Sequence, residues 1–225
     1  MFNLRYVKKS YFVKNYVNFA VGLIKTTIKL HMDLAKSFRK IYHIEDSTLE
    51  RLHTLLTLKE YAKGDRIISQ GTVSNYLYII EEGLVRCLYE DIDEGTETTL
   101  LFGIEGNLFT SLASVVYDQP SQTSYEALSD TKVLCISFDD FWRLCDECPD
   151  LMRWQTHYQL YQLYTLEKRA TLTSIGDAYT RYMQYIKMRG ADTLARIPLK
   201  YVSQYLNISA ETLSRIRSRI AKPQK

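Results

Sequence analysis

Six of the chain's nine glycines fall within 43 residues, at Gly64, Gly71, Gly83, Gly95, Gly103 and Gly106. Glycine marks places where the backbone turns sharply, so this clustering limits the middle of the chain to short segments joined by tight turns. Between the glycines lie runs rich in β-branched and aromatic residues: Arg66–Ser69, Tyr76–Ile80, Leu84–Tyr89 and Thr98–Phe102. Glycine spacings of 7 to 12 residues are those of a sandwich or barrel of short strands. Asp93-Glu94-Gly95 is a hairpin signal, and Lys132–Ser137 supplies a further strand.

On either side of this section the texture is helical. From Asp33 to about Leu58, Leu34, Phe38, Ile41 and Ile44 and then Leu49, Leu52, Leu55 and Leu56 recur at helical spacing, with Asp46–Ser47 as a cap before the second run. After Pro149 glycines nearly stop. Leu151, Trp154, Tyr158, Tyr161, Leu163 and Tyr164 form an apolar stripe that continues to about Leu172. The stripe is too wide for a lone surface helix, so it predicts packing against something outside its own sheet. Gly176-Asp177 interrupts the pattern, and Tyr179, Tyr182, Met183 and Ile186 restart it as the face of a core helix.

The stretch from Ile197 to Ile220 is the most informative. Pro198 suits the first position of a helix whose buried edge is Val202 and Leu206, and Ser203 is small where two helices would cross. Asn207 tolerates the left-handed conformation that a sharp turn needs. Ser209 can cap a second helix, Glu211 sits in its first turn, and Leu213, Ile216 and Ile220 anchor it. This is a helix-turn-helix register. Its exposed face comprises Glu211, Thr212, Ser214, Arg215, Arg217 and Arg219, with Ser209 at the start and Lys222 beyond. Arginine reads guanine bidentately, Glu accepts from cytosine, and Thr, Ser and Lys suit phosphates. The competing reading is a solvated basic helix closing an ordinary bundle.

A glycine-rich β section, a long apolar helix and a terminal helix-turn-helix together resemble the Crp/Fnr family of bacterial transcription regulators. The resemblance covers roughly residues 33–222. It is carried by Tyr61-Ala-Lys-Gly-Asp-Arg-Ile-Ile-Ser-Gln-Gly71, by Tyr76-Leu-Tyr-Ile-Ile-Glu-Glu-Gly83, and by Phe138–Asp140 leading into a helix. It implies an α+β protein: an antiparallel, jelly-roll-like β-roll of the cyclic-nucleotide-binding type over 33–148, a dimerisation helix over 149–173, and a small helix-turn-helix domain over 174–225. Glu211 and Arg215 match family positions that contact base edges, whereas Ala210 stands where some members carry another base-reading arginine. The resemblance further implies double-stranded DNA with an inverted-repeat operator, a second copy of the chain and RNA polymerase as partners.

Two departures qualify it. Where cyclic-nucleotide binders place a phosphate-cradling Gly-Glu and an Arg-Ser/Thr pair, this chain aligns Thr110-Ser111 and Ser121-Gln122. A buried cyclic phosphate without a cation is costly, which argues against cAMP or cGMP. Ser111, Ser121, Gln122 and Thr123 remain as hydrogen-bonding groups for a neutral or weakly anionic small-molecule effector; the alternative is a filled roll without a ligand. Second, five residues follow Ile220, so the terminal β-wing of many members is missing or very short.

Composition narrows the function classes. The 225 residues are 46% apolar and 24% charged, enough to build one large or two small cores. The net charge of +3 conceals an uneven distribution. Residues 1–31 carry six basic residues and no acid, residues 32–167 carry 11 basic against 23 acidic, and residues 168–225 carry 12 basic against three acidic. Only the C-terminal end is thus suited to an anionic partner.

Cys87, Cys135, Cys145 and Cys148 form no disulfide framework, which favours a reducing, cytoplasmic setting. Cys145 and Cys148 are a lone Cys-x-x-Cys, and the four histidines lack ligand spacing, so no metal and no cofactor is expected. The chain carries no hydrolase or phosphate-loop motif and reads as a non-enzyme. The nearly apolar run Tyr16–Ile24 is about half a membrane span, and its surroundings lack a cleavage site for a signal peptide. Residues 1–31 lie outside the resemblance; either translation starts at Met32, or they form a basic amphipathic tail that binds membrane or DNA. The rival functional readings are a ligand-sensing signalling module acting through protein contacts without DNA, and a thiol redox switch.

Overall fold

The structure is a computed structural model and describes residues 34–221. The expectations placed on residues 1–32 and on Lys222 lie outside the described residues.

Among the described residues eight strands form two antiparallel four-stranded sheets. The first has the order β1-β8-β3-β6, with β1 at Thr57–Tyr61, β8 at Thr131–Ser137, β3 at Tyr76–Glu82 and β6 at Leu108–Phe109. The second has the order β2-β7-β4-β5, with β2 at Arg66–Ile68, β7 at Ser124–Ala127, β4 at Leu84–Asp91 and β5 at Thr96–Ile104. Helical residues 34–39 (α1), α2 (Asp46–Leu55), α4 (Phe138–Glu147) and the start of α5 (Pro149–Ser174) flank the first sheet, and the short α3 (Leu112–Tyr117) follows β6. The C-terminal part is helical: α6 (Ala178–Arg189), α7 (Ala191–Ala195), α8 (Leu199–Leu206) and α9 (Ala210–Ala221).

Side-chain alternation turns these elements into four layers. On β3, Leu77 and Ile79 face the helices together with Leu134, Phe38 and Leu52, whereas Tyr78 and Ile80 face the second sheet together with Ile68, Val85 and Val133. Both faces of β3 are therefore covered, which explains a run that is almost wholly apolar. The far face of the second sheet presents Leu84, Phe102 and Leu128 to a third core with Tyr182, Tyr205, Leu206 and Leu213 of the C-terminal helices. Gly83 shows why glycine punctuates this section. At φ 115° its backbone lies so close to β8 that a Cβ would stand 2.4 Å from the Thr131 hydroxyl.

The five strands expected from sequence are present within a few residues, and the Asp93–Gly95 turn joins β4 to β5, with Gly95 at φ 63°. Three strands and the short helices α3 and α7 are additional. β1 reads Thr-Leu-Lys-Glu-Tyr with four of its five residues exposed, so it has no apolar pattern and is held by its ladder to β8. The expectation of helix from Asp33 to Leu58 is corrected in two places. Arg39 donates to the Ile44 carbonyl and reaches Asp46, holding a turn after residue 39, and the chain leaves the helix at Leu56 to enter β1. Asp46 begins α2 rather than capping it; the Asp150 carboxylate of α5 instead accepts from the Glu45 N–H and the Thr48 hydroxyl.

Candidate functional site: the α8–α9 unit and its seat on the β-roll

α8 begins one residue after Pro198 and ends at Asn207, whose backbone is left-handed at φ 50° and ψ 52°. Asn207 carries this conformation because its short side chain reduces the usual penalty. The Ser209 hydroxyl accepts the Thr212 N–H at 3.1 Å and donates to the Thr212 hydroxyl at 2.8 Å, so Ser209 is committed to capping α9. Val202, Leu206, Leu213 and Ile216 are buried where the two helices meet. Ile220 is corrected: it is exposed, because the last turn of α9 extends beyond its neighbours.

Helical periodicity divides the polar residues of α9. Glu211, Ser214 and Arg215 lie opposite Leu213 and Ile216, and Arg215 pairs with Glu211 at 3.3 Å, both side chains being largely exposed. Ser218, which the sequence reading passed over, shares this outward face and is exposed. Arg217 and Arg219 flank it, Arg219 lying 5.4 Å from the Tyr179 ring centre, and Thr212 is half-buried beside the cap.

Sequence reasoning missed the residue that fixes the turn. The Arg181 guanidinium on α6 is buried and donates to the carbonyls of Leu206 (2.6 Å) and Asn207 (2.9 Å), and also to Ile175 at the end of α5. It satisfies carbonyls that a helix end leaves unpaired, in keeping with the preference for a cation there. An arginine within a stripe of tyrosines carries no local signal of this role.

The α8–α9 unit sits on the second sheet through polar contacts. The Arg86 side chain on β4 is fully buried. It donates to Glu97 (2.9 Å), Glu126 (3.0 Å) and the Thr99 hydroxyl (3.0 Å), reaches the side-chain amide oxygen of Gln204 on α8 at 3.3 Å, and stacks 4.0 Å from the Tyr201 ring centre. Arg196 grips Glu105 with two hydrogen bonds of 2.6 and 2.9 Å and donates to the Gly83 carbonyl. The Arg196 hydrogen bond is the main reason that the Glu105 carboxyl is held down at about 2. Burial alone would raise Glu97, but Arg86 and Arg66 together bring it below the ordinary carboxylate value. The acidic body and basic end thus meet directly.

The stripe on α5 divides in two. Leu151, Trp154 and Tyr158, expected with Tyr161, Leu163 and Tyr164 to be the pairing face of the dimerisation helix, are instead buried within their own chain, so that expectation is corrected for these three. The Trp154 indole donates to the Phe38 carbonyl at 2.8 Å and stacks on the Phe38 ring, and the Tyr158 hydroxyl bridges the backbone N–H and carbonyl of Leu108. Tyr161, Leu163 and Tyr164 are exposed, as are Leu160 and Leu166.

The proposed effector residues also separate. Ser111 is corrected: it is buried, caps α3 and hydrogen-bonds Ser114, which takes it out of any pocket. Next to it the roll interior is filled by Tyr78, Phe109 and Tyr125 in successive stacking contacts of 5.1 and 4.8 Å, and the Tyr125 hydroxyl donates to the Thr110 carbonyl. Ser121, Gln122 and Thr123 instead line a surface cavity of about 850 Å³ beside Tyr89, Ile92 and Leu100. The four cysteines are buried free thiols, and burial pushes Cys145 up to about 12, the opposite of a reactive thiolate. Among the described residues no cluster of His, Cys, Asp and Glu is arranged to hold a metal, and no helix is long and apolar enough to cross a membrane.

By sequence, residues 58–148 match the cyclic nucleotide-binding domain. Residues 58–148 are therefore a cyclic-nucleotide-binding-type roll, and the described residues have an antiparallel core followed by a long helix and smaller helices. That is the fold of the catabolite activator protein of Thermus thermophilus, with 20% identity over 80% of this chain and 85% of that one and a TM-score of 0.51. It is also the fold of FixK2 from Bradyrhizobium japonicum (20% identity, 73% and 84%, TM-score 0.63) and of the c-di-GMP-responsive global regulator CLP of Xanthomonas campestris (16%, 78% and 91%, TM-score 0.63). By sequence the chain is similar to the cAMP-dependent protein kinase type II regulatory subunit of Drosophila melanogaster, 28% identical over 125 residues. It is also similar to the regulatory subunit of Candida albicans, 25% identical over 126 residues. Each match takes in 56% of this chain, and the chain spans a third or less of these curated relatives.

Proposed function

We propose that the protein is a sequence-specific, DNA-binding transcription regulator of the Crp/Fnr type, working as a cytoplasmic homodimer, and that it is neither an enzyme nor dependent on a cofactor. One observation carries this reading: the α9 face with Glu211, Ser214 and Arg215 points away from the protein, at the end of the chain where 12 basic residues face three acidic ones. A second helix seated by a left-handed turn on the first is the geometry that enters a major groove. Residues 33–148 form the sensor roll, 149–173 the connecting helix and 174–225 the helix-turn-helix domain.

The exposed Leu160, Leu163 and Tyr164, spaced by three and four on α5, are the surface that a second copy covers. A two-fold dimer would place its recognition helices about 34 Å apart on an inverted-repeat operator, where contact with RNA polymerase becomes available. The filled roll interior, and Ser121-Gln122 standing where the resemblance places an arginine, argue against cAMP as effector.

Fluorescence anisotropy on genomic fragments tests the proposal: selective, salt-sensitive binding is expected, and equal affinity for all duplexes refutes it. The second reading, a ligand-sensing module acting through protein contacts, is favoured by the kinase regulatory subunits, whose similarity reaches only 56% of the chain. Ligand-induced stabilisation without DNA binding would support it instead.

A further inference from the structure

The short helix α3 is built inside out. Its inward side is polar: Ser111 at the N-cap and Ser114 are buried, and the Ser114 hydroxyl donates to the Gln119 carbonyl at 2.9 Å and accepts the Ser74 N–H at 3.2 Å. Its outward side is apolar: Leu112, Val116 and Tyr117 share one side of the helix and are 69%, 59% and 72% exposed. Val73, in the loop held to Ser114, is exposed too. Single exposed apolar residues are ordinary, but several gathered over a buried polar side are the arrangement of a surface that something covers.

Charge decides what covers it. Residues 87–131, which include α3, carry nine acidic residues and no lysine or arginine. A second copy presenting the same surface would set acid against acid, and an anionic lipid surface or DNA would be repelled likewise. Residues 1–31 have the complementary composition: six basic residues, no acid, and the nearly apolar run Tyr16–Ile24. Lys14 and Lys25 bracket that run, and the exposed Asp118 closes α3. The exposed stripe on α5 offers no such match, because that helix carries three basic residues against two acidic ones.

The chain also reaches. Its described part begins at Leu34, and Ser37 lies so close to Gly106 that a Cβ added there would stand 2.8 Å from the serine hydroxyl. α3 starts six residues after Gly106, at most about 20 Å along the chain. The nine residues 25–33 span up to about 30 Å, enough to lay the run over α3.

We propose that residues 16–24 of this chain dock on the apolar face of α3, with Lys14 and Lys25 over the acid-rich surface around it. The N-terminal segment is then a strap on the roll rather than a tail for membrane or DNA. The strap stands apart from the DNA-binding reading, and its test contains no DNA.

The test is limited proteolysis and hydroxyl-radical labelling of the full chain, read by mass spectrometry. A nine-residue tether holds its segment at an effective concentration in the millimolar range, so a contact with a dissociation constant of about 0.1 mM slows cleavage about tenfold. Chymotrypsin should therefore cleave after Phe19 about tenfold faster in Val116→Ser/Tyr117→Ser than in the wild-type chain, with no dependence on protein concentration. Ile92→Ser, which removes an exposed apolar side chain from the β4–β5 turn, should leave the rate unchanged. Val116, Tyr117 and Ile92 are all exposed, so these variants keep the fold, which an unchanged urea midpoint checks. In the reverse direction, Phe19→Asp should raise the labelling of Tyr117 about fivefold. Equal cleavage in the wild type and the double variant, or equal Tyr117 labelling in the wild type and Phe19→Asp, would overturn the proposal. Protection that grows with protein concentration would assign the face to a second copy. Tyr117 labelling that falls only when phosphatidylcholine–phosphatidylglycerol vesicles are added would assign it to a membrane. Either result overturns the strap as well.

Discussion

Arg86→Met perturbs the joint between the roll and the α8–α9 unit more directly than any other single change. The guanidinium makes hydrogen bonds to Glu97, Glu126, Thr99 and Gln204 and stacks on Tyr201, with no solvent access. Breaking a buried ion pair outright costs about 3–5 kcal/mol, because a charge is left without compensation. Here Arg66 stays within 3.3 Å of both Glu97 and Glu126, so neither carboxylate is abandoned, and methionine keeps an apolar contact with Tyr201. The remaining loss is the hydrogen bonds to Thr99 and Gln204 and part of the charge pairing, about 2–3 kcal/mol.

That loss falls on the seat of α8 rather than on the roll as a whole. Both tryptophans, Trp142 and Trp154, pack in the core between the first sheet and its helices, so their fluorescence reports unfolding of the roll. Far-ultraviolet circular dichroism reports the C-terminal helices as well. In urea the wild-type protein should give coincident transitions, whereas Arg86→Met should give an earlier dichroism transition and a fluorescence transition that moves less. Protease cleavage in the α5–α6 connection, residues 175–177, should accelerate in parallel. Coincident transitions in Arg86→Met, shifted by less than about 0.5 kcal/mol, would refute the view that this arginine fastens the two parts.

Acid should loosen the same joint. Glu105 sits at about 2 in the folded protein against 4.5 in a free chain, so its contribution is complete above about pH 4.5 and fades as the pH falls toward 2. Glu105→Gln should flatten that part of a stability-against-pH curve measured by thermal melting. Asn207→Ala should cost about 1–2 kcal/mol because alanine resists the left-handed turn, whereas Asn207→Gly should be nearly neutral, as read from urea midpoints. Trp154→Phe should cost about 1 kcal/mol by removing the indole hydrogen bond to the Phe38 carbonyl, which keeps its bond from the Ile41 N–H, again measured in urea. Arg215→Ala should relax base preference in a binding-site selection at a cost of about 1–3 kcal/mol, whereas a change at Arg217, on the flank of α9, should weaken all sequences alike.

Patterns repeated along the chain were legible without the structure. Glycine spacing and β-branched runs located five strands, the apolar period located α5, and Asn207, Ser209, Leu213 and Ile216 set the register of α8 and α9, because turns, caps and periodic faces are local properties of neighbouring residues. Elements without such a pattern were not legible. β1 exists through its ladder to β8, and the break after residue 39 exists through Arg39 bonding to Ile44. On α5 periodicity could mark Leu151, Trp154, Tyr158, Tyr161, Leu163 and Tyr164 as one stripe, but only the packing of Phe38 and Leu108 against its first half distinguishes the inner residues from the exposed ones. Ser111 and Ser121 looked equivalent as hydroxyls, yet one caps a helix and the other borders a cavity.

Charge tells the same story at larger scale. The sequence by itself determined that the chain has an acidic body and a basic end, since a count of ionisable groups needs no fold. Only the tertiary structure decided that Arg86 and Arg181 are buried on carboxylates and carbonyls and that Arg196 is spent at the surface on Glu105, leaving Arg215, Arg217 and Arg219 exposed on α9. An arginine's charge is a property of its side chain, but its partner is fixed by elements up to 118 residues away, and no local pattern records that distance.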